Sequence, residues 1–564
     1  IGRTFAESVQ KALWSMETGL TGFDEVDIPG VEEATSEDAR KEAVRAALSV
    51  ATPDRLRVIA QAFREGLSVE EVRAASLYEP WFLRQIEAIV HAEEDVATLG
   101  LPETAEGFRN LKAMGFSDAR LARLVKREEA DVRKARRALG VRPVFKRVDT
   151  CAAEFEARTP YMYSTYELPG FDGIVECEAQ PSDRTKIIVL GGGPNRIGQG
   201  IEFDYCCVHA SLALREFGYE SIMVNSNPET VSTDYDVSDR LYFEPLTLED
   251  VVNIARQEKP EGVIVQLGGQ TPLKIARGLE AHGIKILGTS TDSIDKAEDR
   301  ARFGEMISKL GLKQPSGALA STREEVIKAA QDVGYPILVR PSYVLGGQAM
   351  QIIYNQDDLE AWLDSGFHSG KISVLIDQFL ENAVEIDVDA ISDGRATIIA
   401  GIMEHVEQAG IHSGDSTCVL PTQTIPLKTI EEIRSATLKL AKELKVKGLM
   451  NIQFALKDDE LYVLEVNPRA SRTIPFVSKA TGVPWARMAT GVMTGKTLSE
   501  LGLSPRHIPP HVAVKSVVIP FDRFPGASIS LGPEMRSTGE VMGLNGTFEI
   551  AFAKSQLGSG TRVP

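Results

Sequence analysis

The sequence predicts a three-part chain of mixed class: an all-helical region, then an α/β region, then an α+β region. Three observations predict this order. The first 150 residues are rich in Ala, Glu, Arg and Leu; from Lys186 onward a strand, a loop and a helix recur; after residue 300 short strands alternate with loops and helices. The length of 564 residues suits roughly three to four domains.

Composition and charge argue against two classes of partner, except at local basic pockets. Apolar residues make up 43% and charged residues 25%, as in an ordinary soluble globular protein. The net charge of −18 repels nucleic acid and anionic membranes, and no run of about 18 apolar residues occurs. The five cysteines show neither metal-binding nor disulfide spacing, so we expect a reducing, cytoplasmic setting. Because the chain opens on Ile1, we expect a piece of a longer polypeptide.

Residues 1–150 are predicted to form a helical domain. Thr52 before Pro53 indicates a helix start, because proline suits the first turn. Ser68 followed by Glu71 has the spacing of a capping box, in which each side chain bonds the backbone N–H of the other residue.

The end of this helical domain is rich in Lys and Arg over residues 120–147, a pattern that resembles a nucleic-acid-binding helix-turn-helix. The alternative is a helix pair that simply packs, and we favour it because Glu128, Glu129 and Asp131 interrupt the basic face. Residues 151–182 have no clear period and are predicted to be a linker or an ordered belt between domains.

The second region, residues 183–297, is predicted to hold a parallel sheet between helices. Short apolar runs alternate with helical patterns, which is typical of doubly wound folds. The predicted strands cover residues 187–190, 221–224, 262–265 and 284–287.

Two glycine motifs were weighed as nucleotide sites. Gly191, Gly193 and Gly198 do not fit the dinucleotide spacing, because Arg196 stands where the third glycine belongs. Residues 491–497 are one residue short of a P-loop and follow a predicted helix instead of a strand. A dinucleotide or P-loop site is therefore disfavoured.

The third region contains two loops that can approach a nucleotide. Residues 337–340 are predicted to form a strand, and the glycine-containing turn at 341–347 has backbone N–H groups that can lie over phosphates. Residues 410–416 form a polar loop. Its His412 fits a structural role better than a catalytic one.

Residues 384–389 alternate strictly between apolar and acidic, which predicts a strand with three carboxylates on one face. One of them can bind ribose hydroxyl groups. For Asp387 and Asp389 we favour a solvated sheet edge, which acidic residues commonly protect.

Residues 451–473 carry the most specific chemical pattern. They predict a hairpin with a polar turn at residues 457–460. Side chains alternate along a strand, so Glu465 and Asn467 share one face, and Gln453 on the partner strand can point the same way. Oxygen ligands without sulfur or imidazole suit Mg²⁺. A simply solvated hairpin face is the alternative.

The same alternation places Leu464 and Val466 on the opposite face of the hairpin. Pro468 then turns the chain before Arg469 and Arg472. Guanidinium groups beside a Mg²⁺ site suit phosphoryl transfer, which depends on positioning and charge neutralisation.

An internal repeat links the two ends of the chain. Residues 544–554 resemble residues 1–11, with Gly, Thr, Phe and Lys recurring, so the chain is predicted to contain part of a duplication. Residues 537–564 are accordingly a C-terminal segment that repeats the chain start.

Taken together, these stretches resemble the large-subunit family of carbamoyl phosphate synthetases, which are duplicated ATP-grasp enzymes. The resemblance implies an oligomerization domain at 1–150, a Rossmann-like pre-ATP-grasp domain at 183–297 and an ATP-grasp domain at 298–536. It also implies that a first synthetase half and an allosteric domain lie outside this sequence. The matching stretches are residues 189–205, 225–236, 268–273, 297–303, 340–347, 401–415 and 451–473.

The resemblance also implies roles for single residues. Contacts to the ATP phosphates fall on Arg300, Arg340, Gly346 and Gly347. The other nucleotide contacts fall on Gln378 and Leu380 at the adenine, Glu385 at the ribose, and the loop Gly410, Ile411, His412 and Ser413. The metal ligands are Gln453, Glu465 and Asn467, and Gln453 and Glu465 reach the nucleotide through the metal. Arg469 and Arg472 orient the carbamate and, with Arg340, form the catalytic set.

Glu202 and Glu229 resemble glutamates near the internal tunnel that delivers carbamate in this family. Two positions depart from the family pattern. Gln348 replaces an expected Arg after the double glycine, and Gln378 replaces a His, which weakens the expected phosphate-loop charge and adenine contact.

The implied activity is ATP-dependent phosphorylation of carbamate within glutamine-hydrolysing carbamoyl phosphate synthesis, for arginine and pyrimidine biosynthesis. The implied cofactors are ATP, Mg²⁺ or Mn²⁺, and K⁺. The implied partners are a small glutaminase subunit and further copies of the chain, through the helical domain. Another ATP-grasp ligase that activates a carboxylate and a catalytically silent oligomerization fragment are the alternatives.

Overall fold

A computed structural model describes residues 1–561 except 150, 152–153, 156, 158, 168, 170–174, 197, 342–349, 367–372, 505–508 and 521–529. The chain forms two compact units. The first comprises residues 1–184, 224–228 and 240–259, and the second comprises residues 185–223, 229–239 and 260–564.

The first unit begins with eight helices, most of which start at a Ser or Thr whose side chain accepts a backbone N–H. The predicted capping box between Ser68 and Glu71 is confirmed. The start predicted at Thr52 is wrong, because the helix begins at Arg55 after Asp54. The helices are α1 (Phe5–Ser15), α2 (Glu37–Ser49), α3 (Arg55–Arg64), α4 (Val69–Ser76), α5 (Pro80–Leu99), α6 (Ala105–Ala113), α7 (Asp118–Leu124) and α8 (Glu129–Ala138).

The first unit also contains strands. β1 (Val144–Arg147) pairs antiparallel with β2 (Tyr161–Thr165), so helix does not extend to residue 150 and the predicted linker contributes a strand. The helical core buries large apolar side chains, among them Phe23, Phe108 and Phe116.

The second unit opens with the predicted sheet, in which β3, β6 and β7 run parallel to one another and β4 lies beside β3. Its strands are buried apolar runs, as expected for a sheet covered on both faces. The elements from residue 186 are β3 (Lys186–Leu190), α9 (Ile201–Glu216), β4 (Glu220–Asn225), β5 (Arg240–Phe243), α10 (Leu248–Glu258), β6 (Gly262–Ile264), α11 (Gln270–Leu273), α12 (Ala276–Ala281), β7 (Ile286–Leu287) and α13 (Thr291–Glu298). β5 and α10 belong to the first unit, where β5 runs parallel to β2.

A small antiparallel sheet follows, in the order β10-β9-β11-β8. Val326 and Ala330 of its covering helix pack on Val339 and Ile376 of the sheet. The elements are α14 (Arg300–Lys309), β8 (Gly317–Ala320), α15 (Arg323–Val333), β9 (Ile337–Pro341), β10 (Gln351–Ile353), α16 (Gln356–Gly366) and β11 (Val374–Gln378).

The largest sheet of the second unit is antiparallel, in the order β16-β15-β12-β13-β14-β17-β18. Ile433 and Leu440 of a long helix pack on one face, against Val388, Ile452 and Val466. The elements are β12 (Val384–Asp393), β13 (Thr397–His405), β14 (Cys418–Leu420), α17 (Leu427–Glu443), β15 (Lys447–Lys457), β16 (Glu460–Asn467), α18 (Ile474–Thr481), α19 (Trp485–Met493), β17 (Val512–Val518), β18 (Gly539–Asn545) and α20 (Phe548–Gly558).

The two ends of the predicted repeat have the same local structure. Thr4 is the N-cap residue of α1 and Thr547 is the N-cap residue of α20, and in each case the repeated Phe follows as the first residue of the helix. Residues 491–493 are the end of α19 and residues 494–497 follow it, so this segment comes after a helix and not after the strand that a P-loop requires. Among the described residues, no helix is both long and apolar enough to cross a bilayer.

Candidate functional site

The predicted hairpin is confirmed as β15 and β16. Asp458 and Asp459 form its turn with positive φ angles of 50° and 61°, and Gln453 lies opposite Glu465. Asn467 lies on the same strand as Glu465 and two residues further on, so the three predicted metal ligands occupy neighbouring positions at one end of the hairpin.

A β-bulge changes the expected alternation of the hairpin. The register shifts after Gln453, so Leu464 has no direct partner on β15. Val466 packs in the core below the sheet, as predicted. The prediction for Leu464 is wrong: it packs with Leu380 and Ala455, away from that core.

Hydrogen bonds hold the side chains of the predicted metal ligands in place. Asn467 Nδ2 donates to Glu465 Oε1 at 2.6 Å, and Gln453 Nε2 donates to Ser413 Oγ at 3.0 Å. These bonds use the amide N–H groups and leave the amide oxygens of Gln453 and Asn467 as acceptors. The donor set is therefore oxygen only, which fits Mg²⁺ or Mn²⁺.

The two arginines after the hairpin are enclosed by the second unit. Arg469 lies over the Phe203 ring at 5.8 Å, and its buried Nε has no hydrogen-bond partner among the described residues. Arg472 donates to the carbonyl oxygen of Gly198, in the glycine loop after β3. That loop therefore contacts an arginine of the candidate site.

Burial lowers the pKa of both Arg469 and Arg472. Glu202 at the start of α9 is the strongest opposing charge on Arg472. Its Oε2 is buried without a hydrogen-bond partner in the described part of the chain. Two guanidinium groups and an unbonded carboxylate oxygen thus share a water-poor region, where a small anion gains strong electrostatic binding. Glu229, the other predicted tunnel residue, is exposed.

A second pair of arginines meets at Asp377 on β11. Arg300 makes a two-fold contact with the Asp377 carboxylate, with Nη1 to Oδ2 at 3.0 Å, and Arg340 Nη2 lies 3.7 Å from Oδ2. Burial and the neighbouring Arg340 lower the pKa of Arg300 to about 10. Arg340 Nε is buried and unbonded within the described residues. Asp377 is not among the residues predicted from the sequence, because one aspartate in a short strand does not indicate a binding site.

The predicted adenine residues differ in exposure. Gln378 is exposed and accepts a hydrogen bond from Ser316 Oγ at 3.2 Å, whereas Leu380 is buried beside Ala383. Gly346, Gly347 and Gln348 lie outside the described residues.

Glu385, the predicted ribose residue, is hydrogen-bonded to the loop of residues 410–416, which is predicted to approach the nucleotide. Its Oε1 accepts the N–H of Gly410 at 3.2 Å. Gly410 has a φ of 98°, and a Cβ there would lie 2.8 Å from Phe379 and 2.9 Å from Ile352. Glycine suits this position for two reasons: a Cβ atom would be too close to these side chains, and residues with a side chain avoid this positive φ.

The same loop contains His412, whose Nδ1 accepts the N–H of Gly414 at 3.0 Å. Burial, and then the charge of Arg472, lower the pKa of His412 to about 4. A neutral ring at pH 7 agrees with its acceptor role. Ile411 precedes it and is partly buried, and Ser413 follows with its bond to Gln453.

The sheet edge predicted at Asp387 and Asp389 is wrong. Both residues are buried, because β12 lies inside the large sheet between β13 and β15. Asp387 Oδ2 lies 2.9 Å from His405 Nε2. Burial acts to lower the pKa of His405, but Cys418 and Asp387 outweigh it and hold that pKa well above its usual value. Within the described residues, Asp387, His405 and Cys418 bring their ligand atoms within 4.8 Å of one another.

Comparison with known proteins matches three family models. The carbamoyl-phosphate synthetase large chain oligomerisation domain covers residues 1–140, the carbamoyl phosphate synthase preATP-grasp domain covers 183–296, and the carbamoyl-phosphate synthase L chain ATP binding domain covers 299–501.

Similar sequences are carbamoyl phosphate synthase large chains. The protein from Brucella melitensis is 56% identical over 595 residues, which cover 100% of this chain and 51% of that protein. The protein from Vibrio vulnificus is 55% identical over 567 residues, with 100% of this chain and 51% of that protein covered. The chain therefore spans about half the length of the curated relatives it matches.

Solved structures with a similar fold are biotin carboxylases. The biotin carboxylase domain of Hydrogenobacter thermophilus 2-oxoglutarate carboxylase, with MgADP, ADP and bicarbonate, has a TM-score of 0.52 at 20% identity, covering 66% of this chain and 89% of that one. Biotin carboxylase from Campylobacter jejuni has a TM-score of 0.52 at 16% identity, covering 66% and 90%. The predicted ATP-grasp fold is confirmed.

Proposed function

This chain belongs to the carbamoyl phosphate synthase large-chain family, and from that membership we propose that it phosphorylates carbamate with ATP. A carbamate oxygen attacks the γ-phosphorus, the bond from that phosphorus to the β-phosphate oxygen breaks, and the electron pair leaves with ADP. The products are carbamoyl phosphate and ADP. No protein nucleophile is needed, because the catalyst supplies positioning and charge.

One observation carries the proposal. Gln453 and Glu465 lie opposite each other on one hairpin, which continues directly into the loop of Arg469 and Arg472. An oxygen-ligand site for the phosphates thus lies a few residues from two partly buried cations for the carbamate.

The nucleotide is assigned to the surrounding residues. Gln453, Glu465 and Asn467 would hold Mg²⁺ or Mn²⁺, which would supply positive charge to the phosphate oxygens. Arg300 and Arg340 contact those oxygens. When ATP binds, some of their contacts to the Asp377 carboxylate are replaced by contacts to the phosphates. The remaining nucleotide contacts are Gly346, Gly347, Gln378, Leu380, Glu385, Gly410, Ile411, His412 and Ser413.

The wider role rests on the family. We assign the chain to the second synthetase half of a glutamine-hydrolysing enzyme for arginine and pyrimidine biosynthesis, in partnership with a small glutaminase subunit. The helical first part supports self-association, because its family model is an oligomerisation domain. A K⁺ requirement is proposed from the family resemblance alone.

The test is the reverse reaction with the full chain. MgADP and carbamoyl phosphate should yield ATP, and Glu465→Gln should abolish it while circular dichroism stays unchanged. Glu460→Gln is the matched control, because Glu460 lies on the same hairpin but makes an exposed pair with Lys313. ATP formation at wild-type rate in Glu465→Gln would overturn the metal assignment.

The same assay separates the alternatives. A carboxylate-activating ligase would bind MgATP and lose that binding in Glu465→Gln, yet form no ATP from carbamoyl phosphate. Calorimetry tests the second alternative. If the chain is a catalytically silent oligomerization fragment, wild type and Glu465→Gln should give the same heat when MgATP is added.

A further inference from the structure

Asp389 is a fully buried carboxylate in the middle of β12. Its Oδ1 accepts hydrogen bonds from Asn451 Nδ2 at 3.0 Å and Ser471 Oγ at 2.7 Å, and its Oδ2 accepts one from Thr473 Oγ1 at 2.6 Å. The register between β12 and β13 shifts directly after Asp389. Such bulges re-aim a side chain, here toward the loop that follows β16.

The two hydroxyl donors flank one of the carbamate arginines. Ser471 and Thr473 lie on either side of Arg472 in the chain, and their side-chain oxygens are 2.9 Å apart. Both are buried, so neither hydroxyl has bulk water as an alternative partner. Asp389 therefore fixes the backbone on both sides of Arg472.

A second buried residue holds the start of the same loop. Gln266, just after β6, donates from Nε2 to the Pro468 carbonyl at 2.5 Å and accepts the N–H of Ala470 on its own carbonyl at 2.9 Å. Between them, Gln266 and Asp389 bind residues 468, 470, 471 and 473. The positions left between these anchors are Arg469 and Arg472.

The hydrogen bonds of Gln266 and Asp389 to the loop act against two unfavourable contributions to the free energy of folding. Arg469 and Arg472 are like charges, both are partly buried, and each would be better solvated if the loop moved outward. Burial likewise raises the pKa of Asp389 to about 6, against the three hydrogen bonds that favour its ionised form. Within the described part of the chain no Lys or Arg forms an ion pair with Asp389, and a buried carboxylate without such a pair is costly to keep, which indicates a purpose beyond core packing.

We propose that Asp389 is a positioning residue: by binding Ser471 and Thr473, it holds the loop that directs Arg469 and Arg472 at the carbamate. The proposal rests on the proposed function for its substrate. Its structural part, the anchoring of residues 468–473, does not depend on that substrate.

The test uses Asp389→Ala and Asp389→Asn in the full chain, with Ser392→Ala as control. Ser392 is a buried residue of the same strand whose hydroxyl bonds Ala396 instead of the arginine loop. Amide hydrogen exchange of peptides covering residues 468–473 reports the anchoring directly. We expect faster exchange there in Asp389→Ala, less change in Asp389→Asn, and no change in the control.

The kinetic readout separates positioning from general damage. In ATP formation from ADP and carbamoyl phosphate, Asp389→Ala should lower kcat/KM for carbamoyl phosphate about 100-fold, as expected for a misplaced binding group. KM for ADP should change by less than about twofold, because the adenine and ribose contacts are elsewhere. Asp389→Asn keeps one acceptor oxygen and should recover part of the loss.

The following outcomes decide between the proposal and its alternatives. Unchanged loop exchange in Asp389→Ala, or equal losses for ADP and carbamoyl phosphate, would overturn the proposal. If the wild-type chain forms no ATP, the proposed function is wrong. Amide hydrogen exchange of residues 468–473 still tests whether Asp389 anchors the loop. If Asp389→Ala does not fold, Thr473→Val removes one of the same bonds at nearly constant volume, and its loop exchange decides.

Discussion

At the scale of single residues, the site depends on burial that a sequence cannot display. Alternation along residues 384–389 correctly places Glu385, Asp387 and Asp389 on one face of a strand. Whether that face meets water or protein depends on where the strand lies in the sheet, and β12 is internal. Residue types and spacing therefore predicted the candidate ligands, but not which carboxylates are enclosed.

His412 gives a prediction about pH. Its pKa of about 4 lies below the ordinary value of 6.5, so the folded chain resists a proton that the unfolded chain accepts. Between about pH 4 and 6.5 the unfolded state thus binds more protons, and stability falls as the pH is lowered through this range.

We expect the His412 ring to titrate with a midpoint near pH 4, measured by the NMR shift of its Cε1 proton and assigned by the loss of that signal in His412→Gln. In urea unfolding, the stability of wild type relative to His412→Gln should decrease from pH 7 to pH 4.5. A midpoint near pH 6.5 would mean that the ring is solvated and not enclosed near Arg472.

At the scale of elements, most strands and helices of the second unit follow from period and turn signals. The hairpin is predicted from residues 451–473 because two alternating runs flank a short polar turn. The bulge after Gln453 is not predicted from the sequence. Leu464 beside it packs against Leu380, which is distant in sequence, and against Ala455 on the partner strand, and neither contact is visible in the sequence pattern. The same bulge brings Glu465 opposite Gln453.

The hairpin turn supplies a prediction about this register. Asp458 and Asp459 both have positive φ, a conformation that costs an L residue about 1 kcal/mol and glycine very little. Asp459→Gly should keep ATP formation and raise the melting temperature slightly. Asp459→Pro should lower both, because proline fixes φ near −65° and the strands then lose the pairing of Gln453 with Glu465.

Circular dichroism melting curves and the ATP-formation assay measure these two changes, and the glycine variant is the control for removing the Asp459 carboxylate. If the proline variant matched the glycine variant in both assays, the position of the metal ligands would not depend on this turn.

At the scale of the whole molecule, the composition of the first unit is the feature least visible in the sequence. Residues 240–259 follow the start of the predicted parallel domain, yet they belong to the compact unit of the N-terminal helices. The link is a buried ionic network around Glu249 of α10. Glu249 bonds Lys112 at 2.7 Å, the N–H of Asp118 at 2.7 Å and the Tyr166 hydroxyl at 3.2 Å, and Arg136 lies 3.5 Å away.

Such a network cannot be predicted from sequence spacing, because Glu249 lies 137 residues from Lys112 and 131 residues from Asp118, and each of these charged residues looks like an ordinary surface charge in the sequence. Arg136, one of the basic residues of segment 120–147, belongs to this network. Arg136 is almost fully buried and is bound to Asp118 through two nitrogens, with Nη2 to Oδ2 at 2.7 Å. Its charge therefore serves the interior of the first unit.

Removing Glu249 should consequently destabilise the first unit. Glu249→Ala leaves Lys112 and Arg136 buried with one carboxylate fewer, and breaking a buried ionic contact in this way costs about 3 kcal/mol or more. Hydrogen exchange should quicken in α6, α7 and α8 but not in β12 to β16. Glu42→Ala, which removes an exposed pair with Arg45, should leave both regions unchanged. Equal exchange in the two variants would show that the network contributes nothing to holding α10 in the first unit.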